Sequence, residues 1–248
     1  FLLSAKFFWK TYKKLYISFI GGVVALFVMA MTFVSALRLR FLSIFAMRND
    51  SSNSFRFNVY HSAVQMFKDN WLLDALTDYK GATLQYHDVA RKIEKLHILM
   101  EAAGVEKGDR IAVCGRNSAH WAVAYLATFA YGAVIVPILH EFNGEQIHNI
   151  VNHSESKLLF VGDYIVKTID EKEMPNLSGI LNLPDFSLHT CRNEKLAYAR
   201  EHLNELFGKK YPMAFRKEDI HWHVDSPEEL CMLNYTSGTT GFSKGVML

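Results

Sequence analysis

The residues with the clearest chemical potential lie close together near the end of the chain, between Thr236 and Gly245. Three glycines in this run allow backbone N–H groups to turn inward without a clash from a Cβ atom, which makes a nest for an anion. Hydroxyl groups add further donors, and the ammonium group of Lys244 adds a mobile positive charge. These residue types together predict phosphate binding. The predicted phosphate-binding residues are Thr236, Ser237, Gly238, Thr239, Thr240, Gly241, Lys244 and Gly245.

The sequence on either side of this phosphate-binding loop predicts a strand, a loop and a second strand. Glu229 to Tyr235 is typical of a buried strand, and Val246 to Leu248 is apolar again. The phosphate loop of NTPases has the form G-x-x-x-x-G-K-S/T and leads into a helix, whereas here Lys244 follows Ser243 and an apolar strand comes next. A kinase or GTPase is therefore disfavoured. A flexible Gly/Ser/Thr linker is the alternative, and it is disfavoured because the loop lies between apolar strands.

Histidines elsewhere in the chain are weaker candidates. His221 and His223 lie on the same face of a predicted strand, but no set of ligands nearby completes a metal site, which favours a solvated pair. His148 and His153 lie near a predicted helix end, which favours contact with the last carbonyl groups of the helix over catalysis. No metal ligand is assigned in this sequence.

A repeated strand-helix-strand pattern predicts the sheet that positions the site. Arg110 to Cys114 is a strand, Ala119 to Tyr131 is a helix, and Ala133 to Pro137 is the next strand, which indicates a parallel α/β unit covered on both faces. His140 and Glu141 follow this last strand. They are secondary site candidates because open α/β sheets bind ligands beyond the carboxyl ends of their strands, with simple turn residues as the alternative.

The other predicted elements extend this α/β pattern. Ser118 or Asn117 can cap the helix that begins at Ala119, Gly132 is placed to end it, and Gly104 is placed to end the helix that begins at His87. Further helices are predicted at Asn58 to Leu76, Gly144 to Asn152 and Asn193 to Phe207, and further strands at Gly81 to Tyr86 and Lys157 to Val161.

The first 47 residues form a separate hydrophobic segment. No charged residue falls between Leu15 and Leu37, so this run is long enough to cross a bilayer as a helix, which takes about 20 residues. A signal peptide is an alternative, because Val34 to Ala36 resembles a small-residue cleavage site, although the run exceeds the usual apolar length of about 7–15 residues. A third interpretation is that residues 1–46 are not native and that Met47 starts the protein.

These interpretations lead to different expectations for location. A native anchor predicts a membrane-associated protein with its catalytic domain in the cytoplasm, whereas a start at Met47 predicts a cytoplasmic protein. Basic residues flank the run on both sides, so the sequence does not orient a membrane helix. The predicted domain organisation is a hydrophobic segment over residues 1–47, a linker over 48–56 and an α/β domain over 57–248.

Composition excludes other classes. Residues 1–49 hold seven basic and no acidic side chains, and the rest of the chain holds 20 basic against 25 acidic ones, so nucleic-acid binding is not supported. Cys114, Cys191 and Cys231 are far apart and odd in number, which fits neither a disulfide framework nor a zinc site and favours a reducing compartment. Because 50% of the residues are apolar, the chain can bury a sizeable core.

The phosphate-binding loop resembles the signature loop of the acyl-adenylate-forming superfamily, Y-T-S-G-T-T-G-x-P-K-G. It departs from that pattern only at Ser243, which replaces proline and so removes a rigid φ but no phosphate donor. Upstream, Leu84 to Val89, Gly108 to Val113 and Gly132 to Pro137 are similar to segments that the family carries in the same order. The resemblance covers about Phe57 to Leu248 and is closest to bacterial long-chain fatty-acid:CoA ligases.

This resemblance implies the N-terminal portion of a large adenylate-forming domain, with mostly parallel sheets flanked by helices. It implies a two-step reaction in which a carboxylic acid reacts with ATP, accompanied by Mg²⁺, to give acyl-AMP, and coenzyme A then takes the acyl group. The loop would hold the β- and γ-phosphates of ATP. The family's remaining motifs would lie after Leu248, so residues 1–248 contain no catalytic residue and are expected to be inactive alone.

Two alternatives stay open at this point. One is an adenylating enzyme of the same superfamily that activates amino or aryl acids and passes them to a carrier protein. The other is a membrane-anchored nucleotide-binding or scaffold protein that kept the α/β domain without catalysis. Sequence beyond Leu248 would discriminate between them.

Overall fold

A computed structural model of the chain describes residues 61–79, 81–223, 229–236 and 244–247. All of them belong to the second of the two units into which the chain divides, Phe57–Leu248. The hydrophobic segment at residues 15–37 and residues 237–243 of the phosphate-binding loop lie outside the described residues. Among the described helices, none combines the length and the apolar character needed to span a bilayer.

The described region begins with a helix, α1 (residues 61–69), and a hairpin of β1 (Asp74–Thr77) and β2 (Thr83–Gln85). The sequence predicted one helix as far as Leu76, and this is wrong at its C-terminal end. The last residues of that stretch pair antiparallel with β2, so their backbone groups bond across the hairpin and not along a helix. Leu72 is 70% exposed because it lies in the turn after α1.

Five strands form the central sheet, whose order is β4-β3-β5-β6-β7. The first four of them in chain order run parallel, and only β7 is antiparallel to its neighbour β6. The sheet is therefore mixed and mostly parallel, as predicted for the fold class. The strands are β3 (Arg110–Cys114), β4 (Val134–Ile138), β5 (Leu158–Val161), β6 (Gly179–Asn182) and β7 (Leu188–Cys191).

Helices cover both faces of this sheet. On one face, side chains such as Ile111 and Phe160 pack in a core with α2, α3 and α6. On the other face, side chains such as Ala112 and Leu159 pack in a second core with α4 and α5. This division follows from the alternation of side chains along a strand. The helices are α2 (Tyr86–Ala102), α3 (Ala119–Tyr131), α4 (Gly144–His153), α5 (Asp163–Val166), α6 (Glu194–Glu201) and α7 (Leu203–Lys210).

The ends of α3 show why this part was readable from the sequence. The hydroxyl oxygen of Ser118 accepts a hydrogen bond from the Trp121 backbone N–H at 3.1 Å, as predicted for an N-cap. Gly132 ends the helix in the left-handed conformation with φ of 82°. By contrast, the single helix predicted at Asn193 to Phe207 is two helices, because the backbone of His202 leaves helical geometry between α6 and α7.

Candidate functional site

Strands flank the phosphate-binding loop and form an antiparallel hairpin, but the first begins at Leu233 and not at the predicted Glu229. They are β8 (Leu233–Thr236) and β9 (Lys244–Met247). In their register Thr236 is opposite Lys244. The geometry of those seven residues lies outside the described part of the chain. The presence of a strand on each side is therefore confirmed, and the loop between them and its phosphate contacts stay predictions.

The hairpin extends the central sheet at its β4 edge. The Ile135 backbone N–H donates to the carbonyl oxygen of Cys231 at 3.0 Å, and Ile135 forms a parallel bridge with Met232. β8 therefore runs in the same direction as β4, and its carboxyl end, where the loop begins, lies at the carboxyl edge of the sheet. This is the edge at which open α/β sheets bind their ligands.

Tyr235 fastens the start of the loop to the rest of the fold. Its side chain is buried in the second core, and its hydroxyl group lies 2.7 Å from Nδ1 of His153 at the end of α4. Across the hairpin, a Cβ atom placed on Gly245 would lie 3.2 Å from Cζ of Tyr235, so glycine leaves room for the ring. Burial raises the pKa of Tyr235, which keeps the phenol protonated at neutral pH.

The two histidines near the end of α4 have partners that the sequence did not predict. His153 bonds Tyr235 on the hairpin, and Nε2 of His148 accepts a hydrogen bond from the Asp170 backbone N–H at 2.9 Å. Each contact joins residues that are far apart in the sequence, because α4 packs against segments that follow it in the chain. The sequence favoured contact of these side chains with the last carbonyl groups of α4. That interpretation is wrong, because both side chains bond other segments.

The segment before β8 is held by charged and aromatic contacts. His223 Nε2 lies 2.9 Å from a carboxylate oxygen of Glu229, and Lys107 pairs with the same carboxylate at 2.9 Å. These two contacts lower the pKa of Glu229, although its exposure limits their energetic weight. The interpretation of His221 and His223 as a solvated strand pair is wrong for His223, because residues 221–223 form no strand and its imidazole contacts Glu229.

A buried carboxylate ties the same segment to α2. Glu94 is 4% exposed and accepts hydrogen bonds from Trp222 Nε1 at 2.9 Å and from the Tyr211 hydroxyl at 2.6 Å. Its third partner is the ammonium group of Lys210 at 3.1 Å. Burial raises the pKa of Glu94, but the Tyr211 hydrogen bond and the charges of His97 and Lys210 outweigh it, so the pKa is lowered.

Sequence reasoning missed this carboxylate. Glu94 falls inside an amphipathic helix, where a glutamate is ordinary, and its three hydrogen-bond donors come from more than 100 residues later in the chain. The only local signal was its place among apolar residues on the buried side of α2. The network is structural support for the segment that leads to the phosphate-binding loop.

A second polar cluster lies beyond the carboxyl ends of β3, β4 and β5. The Arg116 guanidinium lies 4.9 Å from the ring centre of Tyr164, and the His140 ring lies 6.4 Å from the same ring. Chain connections leave β3 and β5 in opposite directions, so this is the switch point of the sheet. The structure therefore places the candidate His140 at a ligand-facing edge, whereas Glu141 is exposed beside it.

The cysteine beneath this edge is unsuited to nucleophilic chemistry. Cys114 is fully buried at the end of β3, and burial raises the pKa of its thiol to about 12. The structure describes residues 61–79, 81–223, 229–236 and 244–247. Among them, no group of three metal-ligating side chains could hold a metal ion.

The described elements form an α/β domain in which the predicted phosphate-binding run is flanked by two paired strands. Comparison with known families then identifies it: the sequence matches the AMP-binding enzyme family over residues 61–248. The chain belongs to that family. This confirms the resemblance drawn from the loop, and it places the loop in the part of the chain that the family match covers.

Relatives by sequence include acyl-activating proteins. The chain is 26% identical over 212 residues to long chain acyl-CoA synthetase 1 of Arabidopsis thaliana, covering 80% of this chain and 31% of the relative. It is 29% identical over 174 residues to fatty acyl-CoA synthetase A of Dictyostelium discoideum, covering 68% and 24%. The chain thus spans less than a third of the length of these relatives.

Solved structures show the same fold. The anthranilate CoA ligase AuaEII in complex with anthranoyl-AMP matches with a TM-score of 0.58 at 19% identity, over 75% of this chain and 34% of that one. A luciferase from Phrixothrix hirtus gives the same TM-score at 17% identity, over the same shares of the two chains. These neighbours confirm the predicted α/β fold with a mostly parallel sheet flanked by helices, and this chain spans about a third of each of them.

Proposed function

We propose that this chain carries the phosphate cradle of an ATP-dependent, AMP-forming ligase that activates a carboxylic acid, and that the acid is a long-chain fatty acid. The observation that carries the proposal is the β8–β9 hairpin, which closes a loop of glycines, hydroxyls and a lysine at the carboxyl edge of the sheet. Membership of the AMP-binding enzyme family and the names of the relatives support it.

The reaction that this proposal implies has two steps. A carboxylate oxygen of the acid attacks the α-phosphorus of ATP, forming the acyl-phosphate bond, while the bond to the β-phosphate breaks and pyrophosphate leaves. The thiol of coenzyme A then attacks the acyl carbon, forming a thioester and releasing AMP. The first step separates charge onto pyrophosphate, so groups that hold the β- and γ-phosphates lower its barrier.

The loop residues take this role in the proposal. Backbone N–H groups around Gly238 and Gly241 and the hydroxyls of Thr239 and Thr240 receive phosphate oxygens, and the Lys244 ammonium balances their charge. The anchoring of Tyr235 by His153 keeps the start of the loop in place during this contact. Mg²⁺ enters with the triphosphate, and none of the described residues is assigned as its ligand.

The acyl acceptor is the part of the proposal that the relatives leave most open. Two are named as CoA synthetases, whereas a Streptomyces coeruleorubidus relative, 27% identical over 169 residues, is named a fatty acid–[acyl-carrier-protein] ligase. We propose coenzyme A because it is the acceptor in most of these names. A carrier-protein acceptor predicts that the second step requires a phosphopantetheine-bearing protein.

Acid-dependent pyrophosphate release from ATP tests the activity. It is measured on the protein translated from the complete reading frame that contains this chain, with palmitate, benzoate and mixed amino acids as separate substrates. The proposal expects release with palmitate, and CoA then converts the bound product to palmitoyl-CoA. Release only with benzoate or an amino acid would refute the fatty-acid assignment, and no release with any acid would refute the ligase itself.

We further propose that the chain is organised as a hydrophobic segment over residues 1–47, a linker over 48–56 and the ligase domain from 57 onward, with that domain in the cytoplasm where ATP and CoA are available. Residues 15–37 are the proposed anchor. Alkaline extraction of membranes compares the full chain with one that starts at Met47. Retention of the full chain alone supports the anchor, and equal release of both chains contradicts it.

A further inference from the structure

A cavity lies between α2, α6 and α7, on the face of the sheet away from α4. Its volume is about 410 Å³, and none of its lining residues belongs to the β8–β9 hairpin. Four cationic side chains line it, against two carboxylates. The charged lining residues are Arg91, Lys92, Lys95, Arg200, Asp88 and Asp185.

Both carboxylates of the cavity are already engaged by other groups. Asp88 accepts from the Gln85 backbone N–H at 3.3 Å as part of the capping of α2, and it also pairs with Arg91 at 3.6 Å. Asp185 accepts from the backbone N–H and the hydroxyl of Ser187 at 2.9 and 2.7 Å. Their two negative charges offset only half of the four positive charges that line the cavity.

Two of those cations are held in place by neutral groups. The Arg200 guanidinium donates to the carbonyl oxygen of Phe186 at 2.7 Å, and the Lys95 ammonium donates to the side-chain oxygen of Asn204 at 2.7 Å. Lys95 also lies 5.4 Å from the ring centre of Phe207. These contacts fix the position of each charge without cancelling it, which is the preorganisation that a binding site for an anion needs.

Lys92 differs from Arg200 and Lys95 in its contacts. It is half-buried, and within the described part of the chain it makes no hydrogen bond or ion pair. Burial lowers its pKa despite the attraction of Asp88, and burial together with the nearby charges of Arg91, Lys92 and Arg200 lowers the pKa of Lys95. Several like charges that face one cavity repel each other, and a bound anion would remove that repulsion.

The rest of the lining is apolar. Leu84, Leu96, Phe186 and Leu203 contribute hydrocarbon and aromatic surface to the same cavity. We propose that this cavity is a second ligand site, one that binds a small molecule carrying a phosphate group on an apolar or aromatic body. The phosphate lies against Lys92, Lys95 and Arg200, and the body lies against the leucines and Phe186.

The site is tested on the full chain with pyridoxal 5′-phosphate, an aromatic phosphate whose aldehyde reacts with amines. A lysine amine adds to the aldehyde and water leaves, giving an imine, and borohydride then reduces this to a secondary amine that mass spectrometry maps. Pyridoxal, which lacks the phosphate, is the control reagent. Lys209, exposed on α7 and paired with Glu205, is the control lysine.

The site predicts that pyridoxal 5′-phosphate labels Lys92 or Lys95 at least about tenfold faster than Lys209, because charge-assisted contacts of the phosphate are worth that factor or more. Pyridoxal shows no such preference. Phenyl phosphate protects both lysines at a concentration about tenfold below that of inorganic phosphate. The proposal would be overturned if labelling rates followed the solvent exposure of the lysines, with Lys209 labelled first. Equal protection by phenyl phosphate and inorganic phosphate would also overturn it.

A stability measurement separates a binding role from a structural one. Because Lys92 makes no hydrogen bond or ion pair within the described part of the chain, Lys92→Gln is expected to leave the unfolding temperature unchanged or to raise it, while abolishing protection of Lys95 by phenyl phosphate. A lowered unfolding temperature with protection retained would mean that Lys92 serves the fold and not a ligand. The activity of the phosphate-binding loop does not enter this test, so its outcome is independent of the proposed ligase function.

Discussion

The carboxylate of Glu94 allows the sharpest prediction of stability. Glu94→Gln keeps the shape of the side chain but removes the charge that pairs with Lys210 and strengthens the hydrogen bonds from Tyr211 and Trp222. Losing one partner of a fully buried ion pair costs roughly 3–5 kcal/mol, but the Lys210 side chain is 44% exposed and can be hydrated, so we expect about 2 kcal/mol. For a domain of this size, that loss lowers the unfolding temperature by about 4–8 °C.

Differential scanning calorimetry of the full chain measures this change, with Glu205→Gln as the matched control. Glu205 pairs with Lys209 on the surface of α7, and its loss is expected to have no measurable effect. The difference between wild type and Glu94→Gln also depends on pH. The folded pKa of Glu94 lies below its ordinary value of 4.5, so its contribution is present above that pH and is lost as the pH falls through the folded pKa. A difference under about 0.5 kcal/mol at pH 7, or one that grows in acid, would refute the reasoning.

Three further substitutions test the parts of the fold that position the loop. Tyr235→Phe removes the hydrogen bond to His153 and is expected to cost about 1 kcal/mol in denaturant unfolding, whereas Tyr198→Phe on α6, where the ring is 54% exposed, should cost nothing measurable. Gly245→Ala presses a methyl group against the Tyr235 ring and should weaken ATP binding by the full-length protein in calorimetric titration, with unchanged affinity as the contrary result. Gly132→Ala forces alanine into φ of 82° and places its Cβ 2.9 Å from the His223 ring. It should therefore lower the free energy of unfolding by about 1–2 kcal/mol. Gly208→Ala is the control, because Gly208 has open space around it, and it should not lower stability.

The parts of the fold that could be predicted are those whose signals are local. β3 and α3 have the predicted bounds because an apolar run and a Ser118 cap are both written within a few residues. The hairpin around the phosphate-binding loop follows from two apolar runs on either side of it. Glycine, hydroxyl and lysine at close spacing carry the site prediction in the same way.

The parts that could not be predicted depend on distant partners. The sequence of residues 74–77 does not favour a strand over the helical pattern that precedes it. These residues form a strand because β2 pairs with them. His153 and Glu94 find partners 82 and up to 128 residues away, which no local pattern encodes. The break at His202 between α6 and α7 has no glycine or proline to announce it, since both helices continue a favourable helical composition.

The central claim is that the loop after β8 holds the phosphates of ATP during activation of an acid. Lys244→Met in the full-length protein, compared with Lys209→Met, measures it through the rate of palmitate-dependent pyrophosphate release as ATP is varied. We predict that Lys244→Met lowers kcat/KM for ATP by about 10- to 100-fold, with little change in the KM for palmitate, because a charge-assisted contact to phosphate is lost. Equal rates for the two variants would contradict the account.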